Sequence, residues 1–119
     1  MTILVVEDDR SFRKGLAYEL EDLGYKVTEA SDGNEAIELI HKYHFDLVIS
    51  DLVMPEADGL EVYHILKKLQ PHAKFILLTA FVESDKSKTA RLLLKENFLE
   101  KSIGYDVLFR KIEQLLKIS

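Results

Sequence analysis

The sequence predicts an α/β domain built on an open, doubly wound, five-stranded parallel sheet in three layers, with helices covering both faces. Two observations carry that prediction. Five short apolar runs recur along the 119 residues, and the stretches between them place apolar residues at helical spacing. Runs such as Ile3-Leu4-Val5-Val6 and Leu47-Val48-Ile49 are continuously apolar rather than alternating, as strands buried on both faces are.

The predicted strands cover residues 3–6, 25–30, 46–50, 75–78 and 98–99, the last being short. The first helix spans about 11–23, with Phe12, Leu16, Leu20 and Leu23 in one stripe, Ser11 or Asp9 as its cap and Gly24 as the left-handed residue after its end. The second, 34–42, starts after Asp32-Gly33 and turns Ala36, Ile37, Leu39 and Ile40 toward the sheet. The third, 60–69, starts after Asp58-Gly59 and stops before Pro71, which disfavours helix at the residue preceding it. The fourth covers about 84–95 and the fifth 105–117, where Leu108, Ile112, Leu115 and Leu116 form a stripe. Short connections and right-handed crossovers select the strand order 2-1-3-4-5, the flavodoxin-like solution. Five strand-helix units fill the length, so residues 1–119 are expected to form one domain, with no internal repeat or linker.

Composition excludes several function classes. A net charge of −5, with both signs spread along the chain, offers no basic patch for nucleic acid. With no cysteine there is no disulfide, thiol nucleophile or thiolate metal site. The start of the chain has neither the basic residues nor the length of a signal peptide, and no apolar run reaches bilayer length. A cytoplasmic protein without membrane contact is the expectation. His41 and His44 fall at an exposed helix end and read as solvated, while His64 and His72 have no ligand partner at useful spacing.

The chemistry lies just past the apolar runs. Glu7, Asp8 and Asp9 follow the first, Asp51 the third, Thr79 the fourth and Lys101 the fifth. In an open parallel sheet these positions share the carboxyl edge, where ligands bind. Carboxylates brought together there repel unless a cation or raised pKa values relieve them. Oxygen-only ligands and few carboxylates suit Mg2+, which keeps part of its water shell. A carboxylate at the centre, Asp51, can attack phosphorus to give an acyl phosphate. Lys101 and the Thr79 hydroxyl can then stabilise the phosphoryl oxygens. Taken singly, each residue reads as a helix cap, a loop acid, a packing threonine or a surface lysine. Their joint occurrence past four strands is what points to a site.

The ordered set of pieces resembles the response-regulator receiver family of two-component signalling over essentially the whole chain. Those pieces are Ile3-Leu4-Val5-Val6-Glu7-Asp8-Asp9, Asp46-Leu47-Val48-Ile49-Ser50-Asp51-Leu52-Val53-Met54-Pro55, Asp58-Gly59, Leu77-Leu78-Thr79-Ala80 and Phe98-Leu99-Glu100-Lys101. The resemblance implies a phosphoacceptor, not an enzyme acting on a separate substrate. By position, Asp51 is similar to the phosphoacceptor and a metal ligand, Asp8 to a direct Mg2+ ligand and Glu7 to one acting through water. The Val53 backbone carbonyl would complete the coordination. Thr79 and Lys101 match the switch hydroxyl and the phosphate-pairing lysine, and Phe98 the switch aromatic, which would turn inward as Thr79 moves. Asp9 is not expected to be a ligand. The implied partners are a sensor histidine kinase or histidine phosphotransfer protein, with homodimerisation through the face of the fourth helix, fifth strand and fifth helix.

Three departures from the family pattern stand out. Ser102 replaces the usual proline after Lys101, so either a strained cis peptide is kept or the loop differs, cis before serine costing on the order of 3 kcal/mol. Residues 91–96 lack the small Gly-Ala pair that usually closes the fourth helix, and Ala57 stands where methionine is frequent. Val53 and Phe81, near the acceptor, cannot orient an attacking water, which implies slow autohydrolysis. Two rival readings differ in class. One is a degenerate receiver that binds partners without phosphorylation. The other is a haloacid-dehalogenase-type phosphatase, which would need an aspartate at the position held by Val53. No Gly-rich phosphate loop or dinucleotide fingerprint is present.

Overall fold

A computed structural model describes residues 1–117. The elements alternate as β1 (Thr2–Val6), α1 (Arg10–Asp22), β2 (Lys26–Ala30), α2 (Gly33–Lys42), β3 (Leu47–Ser50), α3 (Gly59–Leu69), β4 (Lys74–Thr79), α4 (Asp85–Leu94), β5 (Phe98–Glu100) and α5 (Tyr105–Leu116). All sheet pairings are parallel, in the order β2-β1-β3-β4-β5. Fold class and strand order are those the sequence predicts. The predicted elements all form, with ends shifted by a residue or two.

The three central strands send successive side chains into two separate cores. Ile3, Val5, Leu47, Ile49, Ile76 and Leu78 point to one face, where Leu16, Leu20, Leu108 and Ile112 of α1 and α5 cover them. Leu4, Val6, Val48, Phe75 and Leu77 point to the other, under Ala36 and Ile40 of α2, Val62 and Leu66 of α3, and Ala90 and Leu94 of α4. That division explains the continuous apolar runs, since every residue of β1 from Ile3 onward is buried on one face or the other. β2 and β5 are edges, and only one residue of each is fully buried. In α1 the predicted stripe is shorter than expected: Leu16 and Leu20 are buried, but Leu23 is the 54% exposed residue that ends the helix. Gly24 follows with φ 97°, the left-handed conformation its lack of a side chain permits.

Four helices begin with a side-chain cap supplied by the loop after a strand. Asp9, Asp32, Asp58 and Ser84 accept from the amides of Phe12 (3.2 Å), Glu35 (2.8 Å), Glu61 (3.0 Å) and Ser87 (3.1 Å). Of the two candidate caps for α1, Asp9 serves and Ser11 lies inside the helix. The caps place every one of these helix starts at the carboxyl edge of the sheet.

The end of α4 differs from the other helix ends. The helix stops at Leu94, and Lys95, the first residue of a 3-10 turn through Asn97, takes φ 51° and ψ −116°. This is backbone space in which glycine is the comfortable residue. The missing small pair of residues 91–96 is therefore felt as strain in the chain, at the point where β5 begins. Beside it, Asn97 Oδ1 is buried without a hydrogen-bond partner among the described residues. Substituting Lys95→Gly should remove the strain and raise unfolding free energy by about 1 kcal/mol in a denaturant titration. A decrease would show that the Lys95 conformation is not strained.

Candidate functional site

The sheet register brings the predicted site residues abreast. Val6 pairs with both Ala30 and Ser50, so the next residues along, Glu7 and Asp51, emerge side by side. The Asp51 amide donates to the Val6 carbonyl (3.0 Å) and the Glu7 amide to that of Ala30 (3.1 Å), carrying the ladder past the strand ends. Thr79 ends β4 opposite Glu100, and Lys101 is the next residue. Gly59 must be small because a side chain there would come within 2.3 Å of the Asp51 carbonyl oxygen.

Glu7 and Asp51 are 2% and 5% exposed, so both acids are withdrawn from water, whereas Asp8 is exposed. Carboxylate oxygens of the three lie within 4.8 Å of one another. Lys101 reaches between the two buried acids, pairing closely with Glu7 Oε1 and lying 3.3 Å from Asp51 Oδ2. The second oxygen of each acid takes a backbone amide: Leu52 donates to Asp51 Oδ1 (2.7 Å) and Asp9 to Glu7 Oε2 (3.0 Å).

The electrostatics follow from burial and crowding. Burial pushes the Glu7 carboxyl up to about 7, the Lys101 and Asp9 hydrogen bonds hold it back in part, and the nearby Asp51 and Asp8 push it further up. Burial alone would lower Lys101, but the bond to Glu7 and the charge of Asp51 outweigh it and the net direction is upward. One ammonium thus pairs with two of the three clustered carboxyl groups. The donor set is all oxygen, compact and open to solvent on the Asp8 side, which fits a hard divalent cation that keeps some of its water.

The other predicted residues surround this cluster. Thr79 is fully buried and its Oγ1 accepts from the Phe81 amide (3.1 Å). A cleft of about 340 Å³ lined by Thr79, Ala80, Glu100, Lys101 and Ser102 opens next to it. Val53 lies in the loop after Asp51 with an exposed side chain, and among the described residues nothing donates to its carbonyl. Phe81 is exposed as well. Phe98 already sits in the core, 9% exposed, with the Arg91 guanidinium 4.9 Å from its ring centroid. Asp9 caps α1 and takes no place in the cluster. At Ser102 the loop differs: the Lys101–Ser102 peptide is trans and residues Lys101–Ile103 form a 3-10 turn, with Ser102 Oγ donating to Glu100 Oε2 (3.2 Å).

Sequence reasoning missed two residues of α1. Arg13 donates from Nη1 to the Glu7 carbonyl (2.7 Å) and from Nε to Glu29 Oε1 (3.1 Å), tying the acidic loop to β2. The Phe12 ring lies beneath the Lys101 ammonium, 4.7 Å from its centroid. Helical spacing reads Phe12 as core and Arg13 as surface, and nothing local signals that they face the site.

Comparison with known proteins agrees with this geometry. The family description of a response regulator receiver domain matches residues 3–113. The receiver protein CpdR of Brucella abortus is 35% identical over 99 residues, covering 78% of this chain and 82% of that protein. Sensor kinase CckA of the same organism is 34% identical over 118 residues, which is 98% of this chain but 12% of the kinase. The chain likewise spans about a quarter of the length of two Escherichia coli transcriptional regulatory proteins it matches. Among solved structures, response regulator TrrA of Thermotoga maritima, in complex with Mg2+-BeF, superposes with a TM-score of 0.83 at 38% identity, covering 97% of this chain and 98% of that one. The chain belongs to the response regulator receiver domain family of two-component systems. Receiver domains are in general phosphoacceptors rather than catalysts, bind Mg2+ at an acidic pocket and interact with sensor histidine kinases. Here the acidic group is Glu7, Asp8 and Asp51. Among the described residues no helix is long and apolar enough to cross a membrane.

Proposed function

We propose that Asp51 accepts a phosphoryl group from a sensor histidine kinase or a histidine phosphotransfer protein, and that residues 1–119 act as one receiver unit in the cytoplasm. The observation that carries this reading is the position of Asp51. It is buried at the middle of the carboxyl edge, with one oxygen held by the Leu52 amide and the other beside both Lys101 and the acidic cluster. Asp8, Asp51 and the Val53 carbonyl would hold Mg2+ directly, and Glu7 through water. The ion would supply charge neutralisation for the phosphoryl oxygens.

An Asp51 carboxylate oxygen attacks phosphorus, the new O–P bond forms in line with the breaking bond to the donor, and the donor leaves with that bond's electron pair. From a phosphohistidine the leaving group is an imidazole nitrogen, and from a small acyl phosphate it is a carboxylate. Lys101, freed from Glu7 and Asp51 in part, pairs with one phosphoryl oxygen, and the Thr79 hydroxyl turns from the Phe81 amide to donate to another. Movement of Thr79 loosens the packing around Phe98 and so alters α4, β5 and α5, the face on which a partner or a second copy would read the state. Because Phe98 is already buried, its part is repacking within the core. The complete set of acids, hydroxyl and lysine favours this reading over a receiver that works unphosphorylated.

Incubation with Mg2+ and acetyl phosphate should add one phosphoryl mass to the intact protein and none to Asp51→Asn. No gain in the parent would return the degenerate receiver to first place. Val53 and Phe81, two residues past Asp51 and Thr79, carry exposed apolar side chains that cannot align a water on the phosphoryl group. Phospho-Asp51 should therefore decay slowly, over many minutes or longer in Mg2+ buffer after donor removal, and decay within seconds would contradict that account.

A further inference from the structure

Among the described residues Lys101 is the one cation between Glu7 and Asp51, yet its own support comes from an unexpected side. Its backbone lies in a 3-10 turn at the edge of the sheet, where Ser102 replaces the family's proline. On the side toward α5 the lysine borders a cavity of about 230 Å³, whose lining includes Phe12, Leu78, Ile103, Tyr105 and Leu108. That cavity gives the side chain room to leave the acids. Phe12, from the first turn of α1, is part of that lining, and its ring centroid lies 4.7 Å from the ammonium. An aromatic face attracts a cation through the negative charge of its quadrupole, and partial removal of water strengthens the attraction. Side-chain exposure of Lys101 is only 19%.

We propose that Phe12 is a positioning residue for Lys101, its ring holding the ammonium between Glu7 and Asp51, where it can meet a phosphoryl group on Asp51. The proposal rests on the reading of Asp51 as phosphoacceptor. A flat ring supplies two things that an aliphatic side chain of similar size does not: a face attractive to the cation, and a rigid wall at the edge of the cavity. Leucine at this position would keep the apolar stripe of α1 but leave Lys101 free to populate the cavity. The lysine would then be absent from the acids for part of the time, and transfer would slow in proportion.

Two variants separate positioning from packing. Phe12→Tyr keeps the ring face, and Phe12→Leu removes it. The first readout is the initial rate of phosphorylation by acetyl phosphate at saturating Mg2+. The second is the position of the Lys101 ε-methylene proton resonances in the unphosphorylated protein, which the ring current of Phe12 should move upfield. In Phe12→Leu the rate should fall roughly 3- to 30-fold and the upfield shift should be lost, while Phe12→Tyr stays within about twofold of the parent with the shift kept. A Phe12→Leu rate equal to the parent overturns the proposal, as does a Phe12→Tyr rate as low as that of Phe12→Leu. Should the parent itself take up no phosphoryl group, the Asp51 reading fails, and the Lys101 shift alone then decides whether Phe12 places the lysine.

Discussion

Glu7 and Asp51 are buried carboxyl groups at adjacent positions, and a single ammonium, Lys101, stands between them with a third acid, Asp8, at the rim. Gathering like charges out of water is unfavourable unless an opposite charge or a retained proton compensates. The rise of the Glu7 carboxyl to about 7 comes mainly from burial, which Lys101 offsets only in part, with Asp51 and Asp8 adding to it. A core sheet has no stability reason to keep such a cluster. On the reading proposed above, a divalent cation and then the phosphoryl group would restore the charge balance at this edge.

The fold exists in the form that holds these four groups together. Parallel pairing with Val6 opposite both Ala30 and Ser50 fixes Glu7 beside Asp51. Strands β1, β3 and β4, apolar on both faces, anchor the residues that follow them in a rigid frame. The same loops cap the helices, so the backbone that carries Asp8 also carries the Asp9 cap of α1, and α1 returns Phe12 and Arg13 to the cluster. The other end of the machinery is softer. α4 ends in the strained Lys95, the nearby Asn97 oxygen has no partner among the described residues, and Phe98 begins β5 directly after them. Strain of one to three kcal/mol, the usual order for such a residue, is comparable with the free energy that a phosphoryl switch has to redistribute.

Much of this was legible in the residues. Ile3 to Val6 and Leu47 to Ile49 announced strands buried on both faces, and the residues within two positions past the runs include Glu7, Asp51 and Lys101, because a parallel sheet puts all such positions at one edge. Asp32-Gly33 and Asp58-Gly59 marked helix starts because a side-chain cap is a local device. What could not be read depends on three-dimensional packing. Phe12 shows helical spacing whether it faces core or cation. Leu23 fits the stripe of α1 but falls one residue past the last turn, where the chain has turned to solvent. Nothing in the sequence near Lys95 declares a positive φ, since glycine would have been the signal and lysine stands there instead. The buried state of Phe98 is likewise a matter of how Arg91 and the core close over it.

Calorimetric titration with Mg2+ tests most directly whether the acidic cluster is a cation site. One saturable site is predicted in the parent, with affinity weakened more than about tenfold in Asp8→Asn and in Asp51→Asn, while both variants remain folded by circular dichroism. Absence of saturable binding in the parent, or unchanged affinity when either aspartate is neutralised, would contradict it.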